Sequence, residues 1–204
     1  MWDEFIKTTH DCQRLDYVWR YSTIPIVVSV YVSSHSYWVA MYAAMIHQTI
    51  NPEDILTLSA CVMHALIHDT QECLLGDKVR PFKYRTEALK QAIDEAETSI
   101  INEFGPSLKA LYTVSEILIN ECNKEYVRSV VKAADFMSVH NFMVRELSRG
   151  NHEIIPFYNN MITDLEQMSY KKIATLDKGK DFDPAIFYTE LRDDAILIKR
   201  ICGA

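Results

Sequence analysis

Glycine and proline are scarce in this sequence. The 204 residues include only five glycines and six prolines, so few positions interrupt regular structure. Ala, Leu, Glu and Lys recur at helical spacings, and all four have high helix propensity. We therefore predict an all-α fold of long helices joined by short loops. With 49% hydrophobic residues, the chain can bury its core as a single domain over residues 1–204.

The sequence also lacks the cysteine pattern of a disulfide scaffold. Its cysteines are odd in number, widely scattered and without a C-x-x-C pair. The N-terminal residues 1–5 lack the basic and apolar regions of a signal peptide. We therefore expect reduced thiols in a cytoplasmic protein. The five cysteines are Cys12, Cys61, Cys73, Cys122 and Cys202.

Runs of Lys or Arg are absent, and the formal net charge is −7. This excludes a surface built to neutralise a nucleic-acid polymer, so a small-molecule substrate is expected. The segment from Tyr21 to Pro52 has no Lys, Arg, Asp or Glu, and only there must a membrane span be considered. Pro25 and the polar stretch 33–36 divide it into runs too short to cross a bilayer, so we expect no membrane association.

The apolar spacing and the helix-end signals divide the chain into helices. Residues 22–32 are predicted to form an extended crossing segment, because they contain proline and many β-branched residues. Ser33 or Ser34 is expected to cap the next helix, and Asn51-Pro52 to begin the one that carries His68-Asp69. With a loop at about 76–82, the other predicted helices cover about residues 3–17, 35–49, 84–104, 106–122, 125–149, 156–176 and 184–202.

The clearest indication of a metal or catalytic site is a His-Asp pair near the end of a strongly apolar predicted helix. His68 and Glu72 are four residues apart, so His68 could hold a metal ion while Glu72 reaches a water bound to it. Asp69 lies about 100° further round the helix than His68. It can bind the same ion only if other helices close over it. His35 and Asp135, isolated on other predicted helices, could complete such a site.

Two imidazoles and two carboxylates form a mixed nitrogen and oxygen ligand set. This set suits a divalent ion such as Co, Mn, Zn, Fe or Mg and does not select among them. A simpler interpretation is a helical interaction module with no metal, because His-Asp pairs also occur by chance. Asp135 favours the metal site, since it interrupts an apolar helix face where an unpaired carboxylate is costly to bury.

Together these motifs resemble the HD-domain superfamily of metal-dependent phosphohydrolases, and most closely the bacterial 5'-deoxyribonucleotidases. The similarity covers about residues 20–154. It is carried by H-D-x-x-E-x-x-x-G-D at 68–77, P-x-K-Y at 81–84, K-x-A-D at 132–135 and G-N-x-E at 150–153. The resemblance implies an HD-domain helical bundle that hydrolyses deoxynucleoside 5'-monophosphates to deoxynucleoside and phosphate. The metal ligands it implies are His35, His68, Asp69 and Asp135.

The resemblance also implies roles for residues around the metal. Glu72 would be the base or water-orienting group, and Asp77 would assist near the leaving 5'-oxygen or order the water. Arg20 would bind phosphate and Tyr21 the sugar, at positions where the family has Arg-Trp. Members of the family commonly associate, so a homo-oligomer is expected.

Two departures from the family pattern leave the number of substrate phosphates open. Tyr21 stands where the family places Trp against deoxyribose. Lys78 and Arg80 add two positive charges to a loop that tends to be uncharged in the family, and they could bind further phosphates. The alternative is therefore a phage-type deoxynucleoside triphosphate triphosphohydrolase, which releases triphosphate. A catalytically silent nucleotide-binding HD protein is the second alternative.

Overall fold

Helices account for the regular structure, as the composition predicts. The computed structural model of the protein describes residues 2–78, 83, 85–168 and 182–203, and within them it has helices and no strands, so the all-α prediction is confirmed. Short 3-10 turns follow α1 at Arg14–Tyr17 and precede α8 at His152–Ile154. The α-helices are α1 (Trp2–Gln13), α2 (Val32–Ile50), α3 (Ile55–Ile67), α4 (Glu72–Leu75), α5 (Glu87–Glu103), α6 (Pro106–Glu121), α7 (Lys124–Ser148), α8 (Ile155–Met168) and α9 (Pro184–Ile201).

The helices α2, α3 and α7 form the centre of the bundle. α2 packs against both of the others along most of its length. Alanines at the contacts, including Ala43, Ala60 and Ala134, are completely buried and let the helix axes approach closely. These three helices carry, or end beside, the residues predicted to bind metal. Their packing therefore fixes the positions of those residues relative to one another.

The remaining helices surround this centre. α6 packs on α3, while α8 and α9 pack on each other and on α7. A smaller apolar cluster near α1 contains Leu15, Val32, Cys73, Phe104 and Leu108. None of the described helices combines the length and the apolar character that a bilayer span requires.

The segment of residues 22–31 crosses the bundle without forming a helix, whereas the prediction extended to residue 32, which instead begins α2. It is bracketed by a short antiparallel bridge, in which Arg20 N donates to Val30 O at 2.9 Å and Val32 N donates to Val18 O at 3.0 Å. The bridge closes the segment into a loop. Arg20 and the residue after it are thereby held at the base of the loop, beside the N-terminus of α2.

A buried carboxylate fixes the far part of this loop to α7. Glu146 is completely buried and accepts hydrogen bonds from Val27 N at 2.7 Å and Val28 N at 2.9 Å. The amide of Asn151 donates to the same carboxylate at 2.5 Å and to Pro25 O at 3.0 Å. A buried charge is tolerated only when it is hydrogen-bonded, and these donors supply the bonds. The loop is therefore tied to α7 at several points.

The predicted start of α3 was wrong. The helix begins at Ile55, and Asn51-Pro52 lies in the preceding turn. Asp54 is the capping residue, because its carboxylate accepts hydrogen bonds from Thr57 N at 3.0 Å and Thr57 Oγ1 at 2.7 Å. This carboxylate satisfies a free N–H group of the first turn and lies at the positive end of the helix dipole, which an asparagine further upstream does not do.

Other helix ends also differ from the prediction. α2 begins at Val32, and the Ser34 hydroxyl donates to Tyr31 O instead of capping the helix. α3 ends at Ile67, so His68 is its C-terminal cap and not an interior residue. The end of the helix predicted over 156–176, beyond residue 168, lies outside the described residues, as does most of the predicted loop at 76–82.

Candidate active site

Three helices bring the predicted metal ligands together. His35 lies in the first turn of α2, and Asp135 lies in the middle of α7. His68 and Asp69 follow the end of α3, where the chain turns before α4. One ligand atom each from His35, His68 and Asp135 lies within 4.8 Å of the others. Residues that are 100 positions apart in the chain thus meet in one cluster.

Asp69 joins the same cluster through its carboxylate. Asp69 Oδ2 lies 3.1 Å from His68 Nε2 and 3.6 Å from His35 Nε2. His35 Nε2 also lies 3.4 Å from Asp135 Oδ1. Because Asp69 is offset from His68 in the chain, it could share a metal ion with His68 only if other helices packed over it. The packing of α2 and α7 on α3 provides that closure.

Both imidazoles turn their Nε2 atoms towards the cluster. His68 Nδ1 lies 2.7 Å from Ala65 O, and a carbonyl only accepts hydrogen bonds, so Nδ1 carries the hydrogen and Nε2 the lone pair. His35 Nδ1 bonds to the Ser138 hydroxyl at 3.0 Å, which leaves its Nε2 facing the carboxylates. Metal-binding histidines are typically held in this way by a partner on the other ring nitrogen.

The residues present fit a divalent metal ion. His35 Nε2 and His68 Nε2 are both buried, and neither finds a hydrogen-bond partner anywhere in the described parts of the chain. Buried polar atoms nearly always have partners, and the Nε2 lone pair of His68, turned towards a carboxylate, is repelled by it. A cation between these atoms would satisfy all of them at once. The donor set, two nitrogens and two carboxylates, is one that binds transition metals or zinc.

Burial and neighbouring charges set the protonation of these groups. Burial, aided by the charge of Arg20, lowers the pKa of His35 to about 4, so its imidazole is neutral at pH 7. Burial alone would raise the pKa of Asp135, but Lys132 and His35 hold it well below its usual range. A neutral imidazole and an ionised carboxylate are the forms that ligate metals.

Glu72 lies next to the cluster as the first residue of α4. The turn that leads to it is closed by bonds from Thr70 N to Ile67 O at 3.1 Å and from Glu72 N to Asp69 O at 3.0 Å. Glu72 Oε2 is buried and has no hydrogen-bond partner among the described residues. Burial, with the nearby charges of Asp69 and Asp77, raises the pKa of Glu72 to about 9. A cation at the cluster would oppose this shift.

Asp77 and Tyr21 are linked across the mouth of the site. Gly76 has a φ of 70°, which turns the chain after α4 and directs Asp77 towards the loop of residues 20–31, called the crossing loop below. There Asp77 Oδ2 accepts a hydrogen bond from Tyr21 N at 3.3 Å. Burial raises the pKa of Asp77. The two residues that the resemblance assigns to the leaving oxygen and the sugar are therefore neighbours.

Tyr21 adopts a strained backbone conformation. Its φ is 60°, a left-handed value that non-glycine residues rarely adopt. Its ring stacks on Phe142 of α7 with the centroids 4.2 Å apart and the planes 3° from parallel. The stack and the hydrogen bond to Asp77 offset the strain. They hold the ring against the wall of the site.

The Arg20 guanidinium lies beside the cluster of candidate metal ligands. It lies 5.5 Å from the Tyr21 ring centroid, and Nη1 lies 3.9 Å from Asp69 Oδ2. Nε and Nη1 are buried without a hydrogen-bond partner in the described parts of the chain. A guanidinium with free donors beside a candidate metal site is suited to bind phosphate oxygens.

The site opens into a cavity of about 890 Å³. Lys78 lines it, and its ammonium also donates to the Leu75 and Gly76 carbonyls. Arg80 lies outside the described residues, so its predicted role is a sequence expectation alone. The cavity is lined by Arg20, Tyr21, Thr23, Ile24, Asp77, Lys78, Arg85, Lys132, Asp135, Phe136, Val139, Met143, Phe157, Asn160, Met161, Thr163 and Asp164.

Several of these lining residues were not predicted from the sequence to belong to the site. Lys132 belongs to the K-x-A-D motif and lies 2.6 Å from Asp135, so the motif itself could have indicated it. Phe157, Asn160 and Asp164 recur every three or four positions along α8. That spacing is the same as on any amphipathic helix, so the sequence alone does not distinguish a cavity wall from an ordinary face.

The fold is that of the HD phosphohydrolases. An HD-domain phosphohydrolase from Listeria innocua superposes with a TM-score of 0.65 at 18% identity, covering 95% of this chain and 90% of that one. The cyanophage S-2L HD phosphohydrolase DatZ, solved with dA and one catalytic Zn²⁺ ion, superposes with a TM-score of 0.55 at 17% identity, covering 96% of each chain.

Sequence comparison identifies the family within that fold. Residues 7–178 match the family described as 5'-deoxynucleotidase YfbR-like. A 5'-deoxynucleotidase of Vibrio cholerae is 30% identical over 79% of this chain and 85% of its own length. Another, from Vibrio atlanticus, is 29% identical over 76% of this chain and 81% of its own length. The chain belongs to the YfbR-like 5'-deoxynucleotidase family, whose members are hydrolases.

Proposed function

We propose that this protein is a metal-dependent 5'-deoxynucleotidase that converts deoxynucleoside 5'-monophosphates to deoxynucleoside and phosphate. The observation that carries the proposal is the pair of unpartnered imidazole nitrogens, on His35 and His68, facing the carboxylates of Asp69 and Asp135. The free guanidinium donors of Arg20 lie next to them. Family membership supports the same activity.

The residues around the cluster have separate roles in phosphate ester hydrolysis. His35, His68, Asp69 and Asp135 would hold a divalent ion, which when bound would supply a water of lowered pKa and a positive charge for phosphoryl oxygens. Glu72 accepts a proton from the attacking water, whose oxygen forms the new bond to phosphorus. The bond from phosphorus to the 5'-oxygen breaks, and that oxygen takes up one proton, which balances the proton accepted by Glu72, and leaves as the deoxynucleoside hydroxyl.

Arg20, Tyr21 and Asp77 would position the substrate for this step. The Arg20 guanidinium donates to the phosphate and holds it in line with the water. The Tyr21 ring, fixed by Phe142, lies against the sugar, and Asp77 beside it lies near the leaving oxygen. The four residues would accept Co, Mn, Zn, Fe or Mg, and the donor set does not select among these ions.

The proposal is tested with a panel of deoxynucleoside monophosphates, ribonucleoside monophosphates and deoxynucleoside triphosphates. Each is incubated with purified protein and Co²⁺ or Mn²⁺, and the products are identified by chromatography. Free phosphate from the deoxynucleoside monophosphates is the expected result. Nucleotide binding without turnover under every metal would contradict the proposal and favour the catalytically silent alternative.

A second candidate, a deoxynucleoside triphosphate triphosphohydrolase, is favoured by the charge of the cavity. Lys78, Arg85 and Lys132 line it together with Arg20, and although Lys132 pairs with Asp135, the other cations could bind more than one phosphate. The same panel separates the two activities. Intact triphosphate released from deoxynucleoside triphosphates, with the monophosphates unchanged, would identify the second candidate.

We also propose that the chain is one domain and acts in the cytoplasm as a homo-oligomer. One apolar core joins residues from Ile24 to Ala195, which supports a single domain. All five cysteines are free, as expected for a reducing compartment. The exposed face of α2 presents large apolar side chains, namely Tyr37, Trp38, Met41 and Met45. A second copy, which offers the same uncharged face, would cover them in a symmetric contact.

A further inference from the structure

The C-terminal end of α3 lies directly before the active-site residues. Its last residue is Ile67, and the chain then turns through His68 and Asp69 before α4 begins at Glu72. We call residues 67–72 the ligand turn. The last four carbonyls of a helix have no partner within it, so a buried helix end needs donors from elsewhere. The donors that the ligand turn receives therefore set the positions of two metal ligands and the proposed base.

Bonds within the ligand turn satisfy part of this requirement. Thr70 N donates to Ile67 O at 3.1 Å, and the Gln71 amide donates to His68 O at 3.0 Å. Thr70 and Gln71 are both buried, so water does not compete for these bonds. The bonds are local, however, and they do not fix the turn relative to the other helices that carry metal ligands.

A tyrosine of α6 contacts the ligand turn from outside. Tyr112 Oη donates to Ile67 O at 3.0 Å and lies 3.3 Å from Gln71 Oε1. Ile67 and Gln71 lie at opposite ends of the turn, so this one hydroxyl contacts it on both sides of its two metal ligands. Burial raises the pKa of Tyr112, so the phenol keeps its proton and remains a donor well above neutral pH.

The ring of Tyr112 is itself held in place. It stacks on Phe104, with the ring centroids 6.1 Å apart. Both rings belong to the apolar cluster near α1, to which α2 contributes Val32 and α4 contributes Cys73. Closely packed side chains of this kind keep one position. Tyr112 therefore joins the ligand turn to a packed cluster that α2 and α4 share.

We propose that Tyr112 is a positioning residue, whose hydroxyl holds the ligand turn in the geometry that lets His68 and Asp69 share an ion while Glu72 reaches the attacking water. The proposal rests on the proposed function and adds to it a residue outside the cavity lining. Small displacements of reacting groups are costly, since a shift of about 1 Å can lower a rate by about 100-fold. Loss of the Tyr112 hydroxyl should therefore be measurable in kcat.

The first variant removes this hydroxyl alone. Tyr112→Phe keeps the ring and its stack but takes one donor from Ile67 O. We expect the dissociation constant for Mn²⁺, measured by calorimetry on metal-stripped protein, to rise about tenfold, as is usual when the support of a metal ligand is lost. At saturating Mn²⁺, kcat for dAMP should fall about tenfold. KM should be unchanged, because Arg20 and Tyr21 lie on a separate loop.

Tyr126→Phe is the matched control. Tyr126 is completely buried, and its hydroxyl bonds to His47 Nδ1 at 2.8 Å, at the opposite end of α2 from His35. This variant also loses a tyrosine hydrogen bond, so the melting temperature should fall in both. Mn²⁺ affinity and kcat should stay at wild-type values in Tyr126→Phe. A purely structural role of Tyr112 predicts instead that the two variants behave alike.

A second variant addresses the turn from its own side. Gln71→Met has a similar length but no hydrogen-bonding group, and it should lower kcat by a similar factor. Combined with Tyr112→Phe, it should lower kcat by less than the product of the two separate factors, because both changes release the same turn. Gln71→Met also tests the proposal if Tyr112→Phe does not fold.

The outcomes separate this proposal from the proposed function. Wild-type Mn²⁺ affinity and kcat in folded Tyr112→Phe, or equal losses in Tyr126→Phe, would overturn the positioning role while leaving the nucleotidase intact. If the wild-type protein releases no phosphate from dAMP, the proposed function fails, and the Mn²⁺ dissociation constants decide whether Tyr112 positions the ligands. If the wild-type protein binds no Mn²⁺, both proposals fail together.

Discussion

At the scale of single residues, the site depends on how two imidazoles are held. The Ala65 carbonyl fixes the hydrogen of His68 on Nδ1, so Nε2 is ready to ligate before any ion arrives. Ser138 bonds the equivalent nitrogen of His35. Such partners orient ligand lone pairs and raise metal affinity. Neither partner could be recognised from the sequence, because an alanine carbonyl and a helix serine carry no pattern of their own.

Glu72 is the residue whose proposed role is tested most simply. Glu72→Gln keeps the size and the hydrogen-bonding reach of the side chain but cannot take a proton from water. We expect kcat for deoxynucleoside monophosphates to fall by about 10²- to 10⁴-fold, the usual contribution of a general base, with bound metal unchanged. Glu53→Gln, at an exposed position before α3, is the matched control. Retention of more than about a third of the wild-type kcat would exclude this role.

The identities of the ligands could be predicted because they are chemically unusual in their surroundings. His68-Asp69 directly follows an apolar helix and Asp135 interrupts another, and a polar residue in such surroundings requires a reason. The strained backbone of Tyr21 could not be predicted in this way. It depends on the stack with Phe142 and the bond to Asp77, and both partners are distant in the chain.

At the scale of elements, the crossing loop connects the catalytic residues to the bundle. Its base carries Arg20 and Tyr21, and its far part is tied to α7 by the Glu146 carboxylate. The sequence predicted an extended segment over residues 22–32, of which 22–31 are not helical, but a β-branched, proline-containing stretch does not specify its partner. The tie depends on the packing of α7 beneath the loop, which is a tertiary contact.

Glu146→Ala should therefore reduce both stability and substrate affinity. The change leaves Val27 N and Val28 N without acceptors, so we expect the free energy of unfolding to fall by about 3 kcal/mol in urea denaturation. KM for deoxynucleoside monophosphates should also rise, because the loop positions Arg20. Glu153→Ala, an exposed acidic residue close by, serves as the control. A loss below about 0.5 kcal/mol, the range of ordinary surface substitutions, would show that the loop is held by other contacts.

Helix identities were easier to predict than helix ends. Gly105-Pro106 and Asp183-Pro184 mark helix starts through backbone rules, and α6 and α9 begin at those prolines. Asn51-Pro52 carries the same signal but does not start α3. Asp54 provides a stronger cap three residues later, so competition between nearby caps limits the prediction.

At the scale of the whole molecule, the uncharged segment 21–52 accounts for both the core and an exposed surface. One face of α2 is completely buried against α3 and α7, while Tyr37, Trp38, Met41 and Met45 on its other face are exposed. Trp38 and Tyr42 also stack, with ring centroids 5.7 Å apart. Clustered exposed apolar side chains of this kind commonly mark a protein interface.

The oligomer is tested by placing charge on this face. We expect the wild-type protein to be oligomeric in light scattering and the protein with Met41→Glu combined with Met45→Glu to be monomeric, because two carboxylates per copy would be buried in the proposed symmetric contact. Ile186→Glu, at an exposed apolar position on α9, is the control and should leave the mass unchanged. A wild-type protein that is monomeric at all concentrations would refute the proposed interface.

The most direct test of the central claim is a metal titration of the stripped protein. Phosphate release from dAMP is followed as Co²⁺ or Mn²⁺ is added after chelation, while bound metal is measured in parallel. The account predicts no release without metal and a rate that rises with occupancy of the site. Asp135→Asn should lose both metal and activity, and Glu125→Gln, exposed on the same helix, should keep both. Undiminished phosphate release by metal-free protein would contradict the account.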